Sequence, residues 1–381
     1  MANEAAVPGL AGSAQPKGRW AALFPALLKF GRYTLMRGIA LLITVCIGVY
    51  ISIWIANMGG YVDNIRIAGI TEGVALSFRG NPLYQDMAPS ERQRLMQVEI
   101  ERQIRRQGLD QPFLGRSFGY LFDALSLNLG RAEVMSSDTG SKNVRTILLE
   151  RLPVTLVLFG TANLLTFFLG VFVALFLSRR YGSIADRASV ALAPLSAAPP
   201  WFYGIFLILI FASVLGILPY GGMIDAPVPE TGLGRALSMM KHMILPLVAW
   251  LIATLPIGVY TRRTFFLVYS SEDYVELAKA KGLKSNTIER RYILRPTLPT
   301  IVTQFAFTLI FAWQGAIITE TVFSWPGLGR LLFQAIGTFE TPVIIGSVVI
   351  FAYLLAISVF LLDIIYALID PRVKLGAEGA Q

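Results

Sequence analysis

Six stretches of the chain carry no charged side chain over lengths close to a membrane's hydrocarbon thickness: residues 38–57, 154–177, 188–216, 243–260, 301–319 and 343–362. About 20 helical residues, each rising about 1.5 Å, cross the hydrocarbon. In lipid every backbone N–H and C=O must be satisfied within the segment, which makes each stretch a helix. Pro194, Pro199 and Pro200 interrupt the third stretch, and Pro246 and Pro256 the fourth. A proline leaves an upstream carbonyl unpaired, so kinks packed against protein are expected there.

Between the first two stretches, residues 58–153 are mixed in charge and too polar to span. Within them, residues 90–107 repeat apolar positions at helical spacing, Met96, Ile100 and Ile104, with Ser90 placed to cap the helix and Gly108 to end it. This narrow stripe is expected to pack against its own loop; a docking surface for an outer partner is the alternative. The pattern predicts an all-α membrane protein with six transmembrane helices and an enlarged extracytoplasmic loop between helices 1 and 2. Its parts are a cytoplasmic tail (1–32), helix 1 (33–58), the outer loop (59–152), a five-helix core (153–370) containing a cytoplasmic loop at 261–300, and a second tail (371–381). The Ala- and Gly-rich first ~16 residues are expected to be disordered.

Composition agrees: 55% of residues are hydrophobic, 15% charged, and the mean hydropathy is +0.60, against about 25% charged in soluble domains. The net charge of +9 does not imply nucleic acid, because the cations sit in loops as orientation signals do. One cysteine, Cys46, lies in an apolar run and excludes an intramolecular disulfide, and one histidine leaves little for zinc. No metal or cofactor is expected. No cleavable leader is evident, and the first run reads as a retained anchor.

The short loops orient the chain. Tail 1–37, loop 178–187, loop 261–300 and the C-terminal end hold 18 Lys and Arg; the opposite short loops hold 3, namely Arg235, Lys241 and Arg330. The cation-rich side is cytoplasmic. Both termini and the 261–300 loop are therefore expected in the cytoplasm of a multi-pass protein of the inner or plasma membrane.

That loop holds Ser270 to Pro299, SSEDYVELAKAKGLKSNTIERRYILRPTLP. Ser270 or Ser271 can cap a helix; Glu272 and Asp273 suit its first turn, Lys279 and Lys281 its last, and Gly282 a left-handed end. Ala278 and Ala280 are small enough to admit a close surface. By itself this is a capped connecting helix. The run Glu276-Leu277-Ala278-x-x-x-Gly282, however, resembles the Glu-Ala-Ala-x-x-x-Gly loop of ABC importer permeases, with Leu277 in place of the first alanine. Three further stretches resemble the dipeptide/oligopeptide branch: Glu150-Arg151-Leu152-Pro153-Val154-Thr155-Leu156, Phe323-Ser324-Trp325-Pro326-Gly327-Leu328-Gly329-Arg330, and Tyr366 to Asp370-Pro371-Arg372. The resemblance spans about 33–61 and 118–374; the stretch 62–117 stands outside it as an insertion.

The resemblance implies a type I ABC importer permease fold and an importer of di- and oligopeptides or a related small solute in the membrane. Partners would be a second homologous permease subunit, two cytoplasmic ATPases, an extracytoplasmic solute-binding protein and the lipid bilayer, with no nucleic acid. It makes residues 271–282 a coupling helix against the ATPase, with Glu276, Ala278 and Gly282 as its site residues. Gln304 and Gln314, polar residues of the fifth stretch, are candidates for the translocation pathway, although at ~100° per residue at most one of them faces it. No phosphate-binding Gly-x-x-x-x-Gly-Lys-Ser/Thr run is present, so ATP hydrolysis falls to another chain and this one is not read as an enzyme. An ion-coupled carrier is disfavoured by charge-free spans. An intramembrane enzyme is disfavoured because His242 has no carboxylate near it in sequence.

Overall fold

A computed structural model of the protein describes residues 19–57, 60–85, 87–311 and 317–369, without every side chain at the margins. The N-terminal 16 residues, Gln314 and Asp370-Pro371-Arg372 lie outside the described residues. Helices account for the described elements, apart from one isolated antiparallel bridge between Arg131 and Asn143. In order they are α1 (Arg19–Asn57), α2 (Tyr61–Gly80), α3 (Pro82–Gln85), α4 (Pro89–Arg106), α5 (Phe113–Leu125), α6 (Val144–Ser178), α7 (Ile184–Leu192), α8 (Pro200–Leu207), α9 (Gly232–Ser270), α10 (Asp273–Ala280), α11 (Ser285–Ile288), α12 (Arg295–Phe311), α13 (Ile317–Val322), α14 (Leu328–Gly337) and α15 (Thr341–Ile369).

Four helical stretches among the described residues are long and apolar enough to cross a membrane: Gly31–Ile55, Val144–Ser178, Gly232–Ser270 and Thr341–Ile365. A fifth candidate is a broken pair, Ile184–Ala197 with Pro200–Val214, bent by 96°. The third apolar run is thus broken outright, where a kinked helix was expected. Ala198, preceding two prolines, takes extended angles (φ −92°, ψ 142°) and stops the 3-10 turn Ala193–Ala197, and Pro199–Pro200 open the next helix. By contrast α9 runs unbroken through Pro246 and Pro256; the N–H of Ile257, next to Pro256, donates to Ser196 Oγ at 3.2 Å. The fifth run is α12 and α13 on either side of 312–316, and the described part of α12 is 17 residues long.

The chain divides into two compact units, residues 1–43 with 360–381 and residues 44–359. In the smaller, Arg37 Nε donates to Asp363 at 2.5 Å. In the larger, α6 and α9 form the central pair, and α5 packs on α1 through Ala124 against Val45, Val49 and Ile53. Large apolar side chains that face outward, such as Ile47, Ile51 and Ile55 on α1 and Phe168, Phe172 and Phe176 on α6, recur at i+4 as on a lipid- or partner-facing stripe.

The segment between α1 and α6 is a helical module rather than a plain loop. The apolar stripe of α4, Met96, Ile100 and Ile104, closes on Ile70, Val74 and Phe78 of α2, which settles it as self-packing. Arg116 on α5 forks onto Asp63 on α2 at 2.6 and 3.2 Å; that hydrogen-bonded pairing holds the guanidinium's pKa above its ordinary value. Ser90 does not cap α4: Ala88 holds that position and Pro89 opens the helix, as its fixed φ favours. Gly108 does end it, at φ +65°.

Candidate functional site

The candidate in loop 261–300 is a short unit with a core of its own. α10 is shifted from the sequence expectation at its start: Glu272, not a serine, occupies the cap position and makes no side-chain cap bond. The serine hydroxyls go the other way. Ser270 Oγ donates to the Phe266 carbonyl at 2.7 Å and Ser271 Oγ to that of Val268 at 2.9 Å, so both hydroxyls bond back along α9 instead of capping α10. The other end is as expected. Gly282 sits at φ +73°; its N–H donates to Lys279 O at 2.9 Å, and Leu283 N–H to Ala278 O at 3.3 Å. That paired closure requires the left-handed conformation at Gly282.

Two sides of α10 do different work. Val275 and Ala278 are buried against Ile288, Leu283, Tyr292 and Ile293, a small core of the segment's own. Ala278 therefore fills an inward contact and does not offer surface to a partner. Glu276, Leu277, Ala280, Lys281 and Gly282 are exposed, as is Tyr274, whose hydroxyl pKa is raised by burial and then by the charge of Glu272. After α11 the chain continues through a π turn, Glu289–Leu294, into α12. There Pro296 and Pro299 lack the donors that an α-helical ladder needs. Glu289 is 6% exposed and pairs with Arg179, which caps the end of α6. Gln304 is half-buried on α12, and nothing ties it to a pathway.

On the far side of the sequence, two of the recognised stretches meet. Thr155 Oγ1 donates to the buried carboxylate of Glu320 at 2.8 Å and accepts the Leu328 N–H at 2.7 Å. Glu320 also takes the Arg330 N–H at 2.9 Å, and Trp325 Nε1 donates to the Val154 carbonyl at 2.9 Å. A Cβ on Gly327 would lie 2.4 Å from Glu320 Oε1. The Phe-Ser-Trp-Pro-Gly-Leu-Gly run is thus a knot around one carboxylate that binds the N-terminus of α14. Glu320 was not singled out in the sequence; two glycines, Gly327 and Gly329, following an acid at the end of an apolar run were the available signal. His242 does have a carboxylate neighbour, brought by the fold: Asp225 Oδ1 lies 3.9 Å from its Nε2. Ser238, followed by Lys241 and His242, holds the Asp225 carboxyl below its ordinary value.

Residues 167–375, which include all of α10 and the segment that follows it, match the family described as binding-protein-dependent transport system inner membrane component. The chain belongs to this family. It is accordingly a multi-pass inner-membrane permease component that works with an ATPase and a substrate-binding protein. Among curated relatives of the permease, the di/tripeptide transport system permease protein DppB of Pseudomonas aeruginosa (strain UCBPP-PA14) is 32% identical over 71% of this chain and 84% of its own length. The oligopeptide transport system permease protein AppB of Bacillus subtilis (strain 168) is 28% identical over 77% and 90%. A solved chain from inward-facing conformations of the MetNI methionine ABC transporter overlaps 58% of this chain and 96% of itself, at 18% identity and a TM-score of 0.44.

Proposed function

We propose that this permease is one of two homologous membrane subunits of an ATP-driven importer of di- and oligopeptides. Both termini and the α10 segment lie in the cytoplasm, and α10 is the contact with the ATPase. The observation that carries the reading is a family member whose α10 segment, in the cation-rich loop 261–300, has an inward core of its own and a bare outward face. Such a segment transmits a push, where a flexible loop would absorb it. The peptide substrate is supported by relatives named for di/tripeptide and oligopeptide transport. Six apolar runs without a charged side chain also suit a machine driven from the cytoplasm better than one coupled to ions. In this reading the outer helices α2–α5 lie on the binding-protein side.

The test is uptake of radiolabelled di- and tetrapeptides by cells lacking the gene and by cells carrying it back. The expected result is gene-dependent accumulation that stops when ATP is depleted but survives an uncoupler with ATP clamped. Accumulation abolished by the uncoupler at constant ATP would favour an ion-coupled carrier instead.

A further inference from the structure

We infer that the Glu289–Arg179 ion pair is a lateral strut through which the α10 segment moves α6, making both side chains positioning residues for transport. The inference rests on the coupling role proposed for α10. Residues 272–294 are joined covalently to α9 and α12, and their inward side chains pack mostly on one another. A push delivered through covalent ends alone reaches those two spans first, and α6 only through their packing against it. Among the described residues, the side-chain ion pair or hydrogen bond that leaves this segment for a third span is the one from Glu289 to Arg179.

The chemistry of that pair suits a strut. Glu289 is buried, and an ionised carboxylate out of water needs its partner. It opens the π turn, a departure from α-helical geometry of the kind found often at functional sites. Arg179 stands at the C-terminal end of α6, where the helix dipole favours a cation. Its side chain is 55% exposed, so it can follow a moving carboxylate without a further desolvation cost.

The corner between α6 and α7 is gripped a second time from the opposite end of the segment. Arg263, on the last turns of α9, forks onto Asp186 of α7 with both distances 2.6 Å, and Gly182 N–H and the Ser183 cap complete that corner. This second pair is buried on both sides, 10% and 3% exposed, and acts as the fixed clamp. The corner is therefore held on the entry side by a buried fork and on the exit side by a half-exposed single pair. Displacement of the segment against α9 and α12 is passed directly to the end of α6 through the latter.

The experiment uses the complete transporter, with its ATPase and binding protein, in proteoliposomes. It reads ATPase co-purification, ATP hydrolysis and peptide uptake per ATP for Arg179→Glu, Glu289→Arg and the double exchange. The expected result is single variants that assemble and hydrolyse ATP but whose uptake per ATP falls roughly 2- to 30-fold, with most of it restored in the double exchange. Unchanged uptake per ATP in both single variants overturns the strut. If the single variants fail to assemble, the double exchange decides: recovery of assembly without recovery of uptake per ATP also overturns it. Glu276→Lys in the same membranes separates the two readings. If it uncouples while the pair variants do not, the strut alone fails; if it too transports normally, the coupling role of α10 fails.

Discussion

Gly282 and Glu276 differ in what a substitution can do. No atom lies within 4 Å of a Cβ built on Gly282, so a side chain there meets empty space and the whole cost is backbone strain at φ +73°. That cost is about 1 kcal/mol for an ordinary residue and smaller for Asn, which tolerates the left-handed region. The expected order of uptake is therefore Gly282, then Gly282→Asn, then Gly282→Val, with the protein still in the membrane. Equal uptake for the three would mean that the closure of α10 does not matter. Glu276 lies on the exposed side of α10. Glu276→Lys is expected to leave the fold intact and to weaken co-purification of the ATPase, or to let it hydrolyse ATP without uptake; normal behaviour in both would remove the contact role.

At the scale of elements, a buried carboxylate organises the knot at the start of α14, whereas the α10 segment closes on an apolar core. Glu320 joins α6 to the start of α14 by accepting donors from Thr155 and Arg330. Glu340 does similar work for loop 133–135, accepting the Glu133, Val134 and Met135 N–H groups. Glu320→Gln keeps the shape but turns one acceptor into a donor facing other donors, a loss of about 1–3 kcal/mol. Gly327→Ala forces the carboxylate out of its place at a similar cost of about 1–3 kcal/mol. Both are expected to lower the thermal unfolding temperature of the purified permease in detergent, whereas Ala at nearby Gly337, where nothing lies within 4 Å, is not. A Gly327→Ala protein as stable as the parent would show that the knot yields freely. The bent third span follows the same logic: consecutive prolines remove consecutive donors, and the chain breaks where it cannot bond.

For the whole molecule the outstanding question is orientation, which the excess of Lys and Arg in one set of loops predicts and helix geometry alone does not. Ser90 on α4 and Ser285 on α11 are both exposed. In a Cys46→Ala background, a membrane-impermeant thiol reagent applied to intact cells is expected to label Ser90→Cys and to miss Ser285→Cys. Labelling of position 285 from outside would invert the protein and place α10 away from any cytoplasmic ATPase.

The sequence by itself determined the helical class, the apolar runs, the charge bias and the two glycine stops at 108 and 282. These are local: periodicity, length and the φ demanded at a helix end are readable from a few neighbours. The family, too, was legible in four short stretches. The serine caps at 270–271 were misread because a hydroxyl can bond back along the preceding helix, and the cap at 90 because Pro89, one residue earlier, starts that helix. Ala278 was misread because small size suits both an inward contact and an open surface. Only the tertiary structure decided that Thr155 meets Glu320, that Asp225 reaches His242, and that Glu289 finds Arg179. Each joins residues distant in sequence through a buried or half-buried polar group, and the partner of such a group is chosen by how helices pack, which no local pattern records.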